Sequence, residues 1–156
     1  MNRGGLRRRA VSSDVIPKAE GVYVYSKGKG WSKAGCLSPS SLSDGLNLIY
    51  FRNNWCASCA VLDLKMPDIV EMYYCRATIY VVSCTWFTTM CLDTMARRAF
   101  QQFKIKDSPT LYWAVVSQGR LLKELRMIGV PSLSELKKYV ASNLGVRPCV
   151  PRARPK

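Results

Sequence analysis

Trp55-Cys56-Ala57-Ser58-Cys59 constrains the fold of this chain more than any other stretch. Two thiols stand three positions apart, directly after the apolar run Leu48-Ile49-Tyr50-Phe51. An apolar run without alternation reads as a central strand covered on both faces. If a helix begins at Cys56, its unpaired N–H groups and the positive end of its dipole face the first sulfur. That placement favours the thiolate near neutral pH. The same spacing lets Cys59 attack a mixed disulfide formed on Cys56. From the residues alone the pair reads as a redox couple, with a structural disulfide and a zinc site as alternatives. Zinc is disfavoured because the chain has no histidine and no second CxxC.

The segments around this motif alternate between strand and helix signals. Val22 to Tyr25 is a short strand, Ser26 to Lys33 a Gly/Lys/Ser loop, and Ser38 to Asp44 holds one short helix. From Cys56 to about Tyr74, Val61, Leu62, Met66, Ile69, Val70 and Tyr73 recur at helical steps. Pro67 falls inside this segment and is expected to kink it or end it early. Thr78 to Ser83 is a second buried strand, and Met95, Ala99, Phe100 and Phe103 indicate a helix ending near Lys106. Thr110 to Val116 is a third long strand. A turn at Ser117-Gln118-Gly119 brings Arg120 to Met127 back antiparallel. Ser132 and Glu135 form a capping box for a last helix bearing Leu133, Leu136, Val140 and Leu144, which stops at Gly145. The aromatic set Tyr73, Tyr74, Trp86, Phe87, Phe100 and Phe103 is expected in the core. Strands joined through helices imply a parallel portion, and the hairpin adds an antiparallel edge.

With 156 residues the chain holds one domain with a sizeable core. No run approaches the length of a membrane-spanning helix, so no membrane span is expected. Lys and Arg number 24 against ten Asp and Glu, a net charge of +14. Residues 1–20 read as a basic N-terminal arm containing Arg7, Arg8 and Arg9. Residues 145–156 read as a basic tail containing Arg147, Arg152 and Arg154 among prolines. Such arms attract nucleic acid or another polyanion without reading sequence, and solubility is the plainer use of the same charge. The domain proper spans 21–144. No apolar segment follows the first arginines, so an intracellular, non-secreted protein is expected, with cytoplasm, mitochondrion and virus particle left unseparated.

Of the seven cysteines, Cys84 and Cys91 are expected as two buried free thiols, with a second pair across a loop as the alternative. Cys149, between Pro148 and Val150, is left as either a free tail thiol or the link to a disulfide-bonded partner.

The order of elements, with Trp-Cys-x-x-Cys after the second strand, resembles the thioredoxin family over roughly residues 21–144. Phe103-Lys104-Ile105-Lys106-Asp107-Ser108-Pro109-Thr110-Leu111 is similar to the family segment ending in a proline-threonine pair. The Ser117–Arg120 hairpin, Gly129 and the terminal helix follow in the family's order. The resemblance implies an α/β, thioredoxin-like fold: a central mixed sheet of about five strands flanked by about four helices. It implies Cys56 as the attacking thiolate, Cys59 as the resolving thiol, and Trp55, Ser108 and a cis Pro109 as the substrate-binding rim. The reaction would be thiol–disulfide exchange on protein thiols or disulfides, with no bound cofactor. The chain departs from the family at Tyr50, where thioredoxins carry a buried aspartate that helps deprotonate the resolving thiol. A phenol is a poor base at neutral pH. This departure, with the basic arms, supports the alternative of a non-catalytic thioredoxin-fold component of a nucleoprotein or virus particle.

Overall fold

The computed structural model describes residues 15–150. Six strands form one mixed sheet: β1 (Gly21–Ser26), β2 (Gly30–Lys33), β3 (Gly45–Asn53), β4 (Ala77–Cys84), β5 (Thr110–Ser117) and β6 (Arg120–Ile128). Their order across the sheet is β2-β1-β4-β3-β5-β6. Only β3 and β4 run parallel; the other neighbours are antiparallel. Three helices accompany the sheet: α1 (Ala57–Tyr73), α2 (Thr94–Gln102) and α3 (Leu133–Leu144). The short helix expected near Ser38 is one 3-10 turn, Pro39–Ser41.

Alternation along β3 divides the core. Leu48 and Tyr50 face α1 and α3, in a cluster with Leu62, Met66, Ile69, Tyr73, Leu136 and Val140. Ile49 and Phe51 face α2, in a cluster with Val82, Phe100, Phe103 and Tyr112. A strand buried on both faces cannot alternate in polarity, which explains its continuous apolar sequence.

Three expectations about elements change. The Gly/Lys/Ser stretch contains β2, paired with β1 through Tyr25 opposite Trp31, whose rings meet edge-on at 5.2 Å. Cross-strand aromatic packing holds a four-residue strand that its composition conceals. Helix α1 continues through Pro67 to Tyr73. The lost hydrogen bond is outweighed because Met66, Ile69, Val70 and Tyr73, on either side of the proline, are all buried. Within the aromatic set expected in the core, Trp86 is exposed, while Tyr73, Phe100 and Phe103 are buried.

The local signals for the second half hold. Ser132 Oγ accepts the Glu135 N–H at 3.1 Å while Glu135 Oε1 accepts the Ser132 N–H at 3.0 Å, closing the capping box. Helix α3 ends at Gly145 with φ 70°. The two-residue turn Gln118-Gly119 has φ 53° and 77°, as a tight hairpin between twisted strands requires.

The packed body extends beyond 21–144. Ile16 is buried against the α1 face of the sheet, and Val146 packs on the same cluster. Cys149 is bonded within the chain: it forms a disulfide with Cys75 just past the end of α1, and its N–H donates to Met72 O at 2.6 Å. It is therefore not available to link a partner. The backbone bond from Cys149 N–H to Met72 O and the side-chain bond from Arg76 Nε to Arg147 O hold residues 147–149 against the end of α1, and this brings the two sulfurs together. Cys84 and Cys91 are likewise a disulfide instead of two free thiols. The hairpin in which Trp86 and Met90 exchange both backbone bonds turns the chain back so that the sulfurs meet. Cys36 is the free, exposed cysteine.

Candidate active site

Cys56 is the N-cap of α1 and Cys59 lies in its first turn; the two form a disulfide. The preceding Asn54 and Trp55 are tied to the end of β4 by Asn54 N–H to Cys84 O at 2.9 Å and Trp55 N–H to Thr85 O at 3.1 Å. Strand β3 thus delivers the motif to the carboxyl end of the parallel pair. Cys56 is half-buried, whereas Cys59 is fully buried. Trp55 beside them is 61% exposed.

The Cys56 sulfur receives the Cys59 N–H at 3.1 Å, the helix-start geometry anticipated from the spacing. A second donor, the Ser108 hydroxyl, lies 3.4 Å from it. The Ser108 carbonyl oxygen stands 3.6 Å away. The Ser108–Pro109 peptide bond is cis. Trp55, Cys56 and Ser108 therefore converge at one end of the sheet, with buried Pro109 behind them. Arg7, Arg8, Arg9, Arg152 and Arg154 lie outside the described residues. Arg147 is exposed beyond the C-terminal end of α1, the end away from the CxxC, where its carbonyl accepts from Arg76 Nε at 3.0 Å.

Beneath the motif is a buried polar cluster of Tyr50, Arg52 and Asp63. Asp63, one turn after Cys59, is 7% exposed. Its Oδ1 accepts Arg52 Nε at 3.0 Å and its Oδ2 accepts Arg52 Nη2 at 3.1 Å. The Tyr50 hydroxyl lies 2.7 Å from Asp63 Oδ1 and 3.1 Å from the Cys59 carbonyl oxygen. Its one proton goes to the carboxylate, the stronger acceptor. Burial, together with the Asp63 charge and hydrogen bond, raises the Tyr50 pKa far above the usual phenol value. Tyr50 is therefore a fixed donor and no base. A carboxylate does lie under the CxxC helix, but it comes from α1 instead of β3, and both its oxygens are engaged.

The signal for this cluster was present in outline. Asp63 is the one acidic residue on the inward stripe of Cys59, Leu62, Met66, Ile69 and Val70. A buried carboxylate demands a partner. Arg52 stands two positions after Tyr50 on β3, on the same strand face. Asn53, fully buried and on the opposite face, was also missed; its amide bonds Ser108 Oγ at 3.0 Å and Phe87 N–H at 2.7 Å.

Among the described residues no group of His, Cys, Asp or Glu is placed to hold a metal ion, and no helix is long and apolar enough to cross a membrane.

No protein-family model matches the chain, and no curated protein matches it in sequence. Solved structures do match. The thioredoxin from Aeropyrum pernix superposes with a TM-score of 0.51 at 17% identity, over 79% of this chain and 94% of that one. Trichomonas vaginalis thioredoxin gives 0.47 at 22% identity, over 63% and 78%. Chlamydomonas reinhardtii thioredoxin f2 gives 0.47 at 13%, over 72% and 98%. The first of these matches shows the fold: the chain has a thioredoxin-like α/β fold carrying a CxxC disulfide at the start of its first long helix.

Proposed function

We propose that this chain is a thiol–disulfide oxidoreductase acting on protein disulfides or thiols through Cys56 and Cys59. The observation that carries the reading is the asymmetry of the pair. Cys56 is half-buried at a helix start with two hydrogen-bond donors on its sulfur, while Cys59 is buried one turn behind it. In the reducing direction the Cys56 thiolate attacks one sulfur of a substrate disulfide, and the other substrate sulfur leaves as a thiolate. Cys59 then loses its proton and attacks the Cys56 sulfur. The second substrate thiolate leaves, and the two electrons have passed from the Cys56–Cys59 couple to the substrate. The reverse sequence oxidises a substrate dithiol. Trp55 supplies an apolar rim, and the Ser108–Pro109 backbone lies where an extended substrate segment can pair with it.

Reduction of insulin or a model disulfide tests this reading, with Cys56→Ser as the control. Turnover in the wild type that disappears in the variant is expected; equal turnover in both rejects it. A redox titration of the couple gives direction: a value near about −270 mV marks a reductant and one near about −120 mV an oxidant. The bridges Cys75–Cys149 and Cys84–Cys91 support an oxidising setting for the chain.

A second reading is favoured by the occupied state of Asp63. With both its oxygens held, and Tyr50 fixed as a donor, the buried groups described beneath Cys59 offer no ready proton acceptor. Slow deprotonation of Cys59 would leave mixed disulfides standing, as suits a thioredoxin-fold component of an assembly that binds polyanions through its basic arms. Salt-dependent binding to DNA or heparin without disulfide turnover is expected on this reading. A monomer that ignores both polymers at low salt rejects it.

A further inference from the structure

Asn53 reaches the reactive sulfur through one intermediary. The Phe87 N–H, on the loop between β4 and α2, donates to Asn53 Oδ1 at 2.7 Å. A backbone N–H can only donate, so this bond fixes which end of the amide is oxygen. Asn53 Nδ2 must then be the group 3.0 Å from Ser108 Oγ, and it must donate there. The serine oxygen has one lone pair committed to that amide. Its own proton remains to be placed, and the Cys56 sulfur lies 3.4 Å away.

We propose that Asn53 is a positioning residue that turns the Ser108 hydroxyl proton onto the Cys56 sulfur, and so favours the Cys56 thiolate. The proposal rests on the oxidoreductase reading for its purpose. Its physical content is independent of turnover. A hydroxyl free to rotate divides its proton between the sulfur and water. One locked from behind by an amide donor keeps it on the sulfur. The bond strengthens when the sulfur becomes an anion, because charge-assisted hydrogen bonds exceed neutral ones. The loop that carries Phe87 is closed by the Cys84–Cys91 disulfide and the Trp86–Met90 backbone pair. The relay is therefore anchored to a rigid feature. Charged groups on the neighbouring elements are already engaged. Arg52 is bound to Asp63, Asn54 and Ser83. Glu20 is bound to the backbone of Thr85, Leu92 and Asp93. The exposed Asp107 precedes Ser108 and is common to all the variants below.

The test is the pH profile of Cys56 alkylation by iodoacetamide after the Cys56–Cys59 bridge is reduced under conditions that leave Cys84–Cys91 and Cys75–Cys149 intact, read on the Cys56 peptide by mass spectrometry. Ser108→Ala removes the donor and raises the midpoint by about one unit, cutting the rate below the midpoint about tenfold. Ser108→Thr keeps a hydroxyl and restores the wild-type profile. Asn53→Ala raises the midpoint by less, since the hydroxyl is freed but present. Asn53→Asp offers only acceptors, draws the serine proton away from sulfur and raises the midpoint further than Asn53→Ala. The deciding comparison is Asn53→Ala made in the Ser108→Ala protein, where it has no further effect if it acts through the hydroxyl. An equal shift in both backgrounds overturns the proposal, as does an unchanged midpoint in Ser108→Ala. If Asn53→Ala does not fold, the Ser108→Ala and Ser108→Thr pair still decides whether the hydroxyl acts. A wild-type midpoint at the ordinary thiol value of about 8.5, with no turnover, counts against the oxidoreductase reading itself. A lowered midpoint indifferent to Ser108 and Asn53 counts against the relay alone.

Discussion

Arg52 and Asp63 face each other across the interface between β3 and α1 and meet through two parallel hydrogen bonds, with both side chains almost wholly removed from water. Removing one partner strands the other as a buried charge. Asp63→Ala is expected to cost about 3–5 kcal/mol of stability, measured by urea unfolding. Replacing both by apolar residues of similar volume is expected to recover most of that loss. A single-site cost below about 1 kcal/mol would show that the pair is solvated.

Glu20 fastens the segment before β1 to the far side of the site. Its Oε2 accepts the Thr85 hydroxyl at 2.6 Å and the Thr85 N–H at 3.2 Å, and its Oε1 accepts the N–H groups of Leu92 and Asp93 at 2.7 and 3.0 Å. The Thr85 hydroxyl first, then these backbone donors, hold its pKa below the ordinary value of 4.5. A carboxylate depressed in the folded state stabilises the fold above its unfolded value and loses that contribution as pH falls through the folded one. Glu20→Gln is expected to cost about 1–2 kcal/mol at neutral pH. The gap to wild type should close as pH drops below about 4.5. A gap that stays constant down to pH 2 contradicts this account.

The Cys75–Cys149 bridge closes a loop across 74 positions of sequence. On the chain-entropy model such a crosslink is worth about 4 kcal/mol, as an upper estimate. Cys149→Ser is expected to lower the urea midpoint accordingly, without a change in the Cys56 alkylation profile. The unreduced wild type should run as a monomer and yield a Cys75–Cys149 linked peptide. A disulfide dimer through Cys149 would sink this prediction.

At the start of α3, Ser132→Ala removes one half of a reciprocal cap whose two bonds measure 3.1 and 3.0 Å. About 1 kcal/mol of destabilisation is expected in thermal or urea melts. Glu135→Ala should add little in the Ser132→Ala background, because the two bonds form one unit.

The parts of the fold legible in the sequence are those whose signals are local. Ser132 with Glu135, Gln118-Gly119 and the run Leu48–Phe51 each specify a cap, a turn or a buried strand from a few adjacent residues. The CxxC spacing placed Cys56 at a helix start for the same reason. What escaped reading depends on residues far apart in the chain. Strand β2 exists through Trp31 against Tyr25, and Cys149 is held by contacts 74 positions away. Tyr50 could be read from the sequence only as a phenol on a buried strand. Asp63, which lies 13 positions further on, could be connected to it only once α1 was laid over β3. Asn53 gave no signal at all, since a lone asparagine at a strand end is ordinary until Ser108 and Phe87 are placed around it.

Strand β6 leaves one margin of the sheet open along nine residues, with Leu121, Leu122 and Ile128 exposed. Such a margin is a template on which a second copy could build. Arg120, Lys123 and Arg126 are spaced along it, so two identical margins brought together would set positive charges against positive charges. Charged side chains are a device by which edge strands resist pairing with copies of themselves, and this edge carries Arg120, Lys123 and Arg126 against the one acidic Glu124.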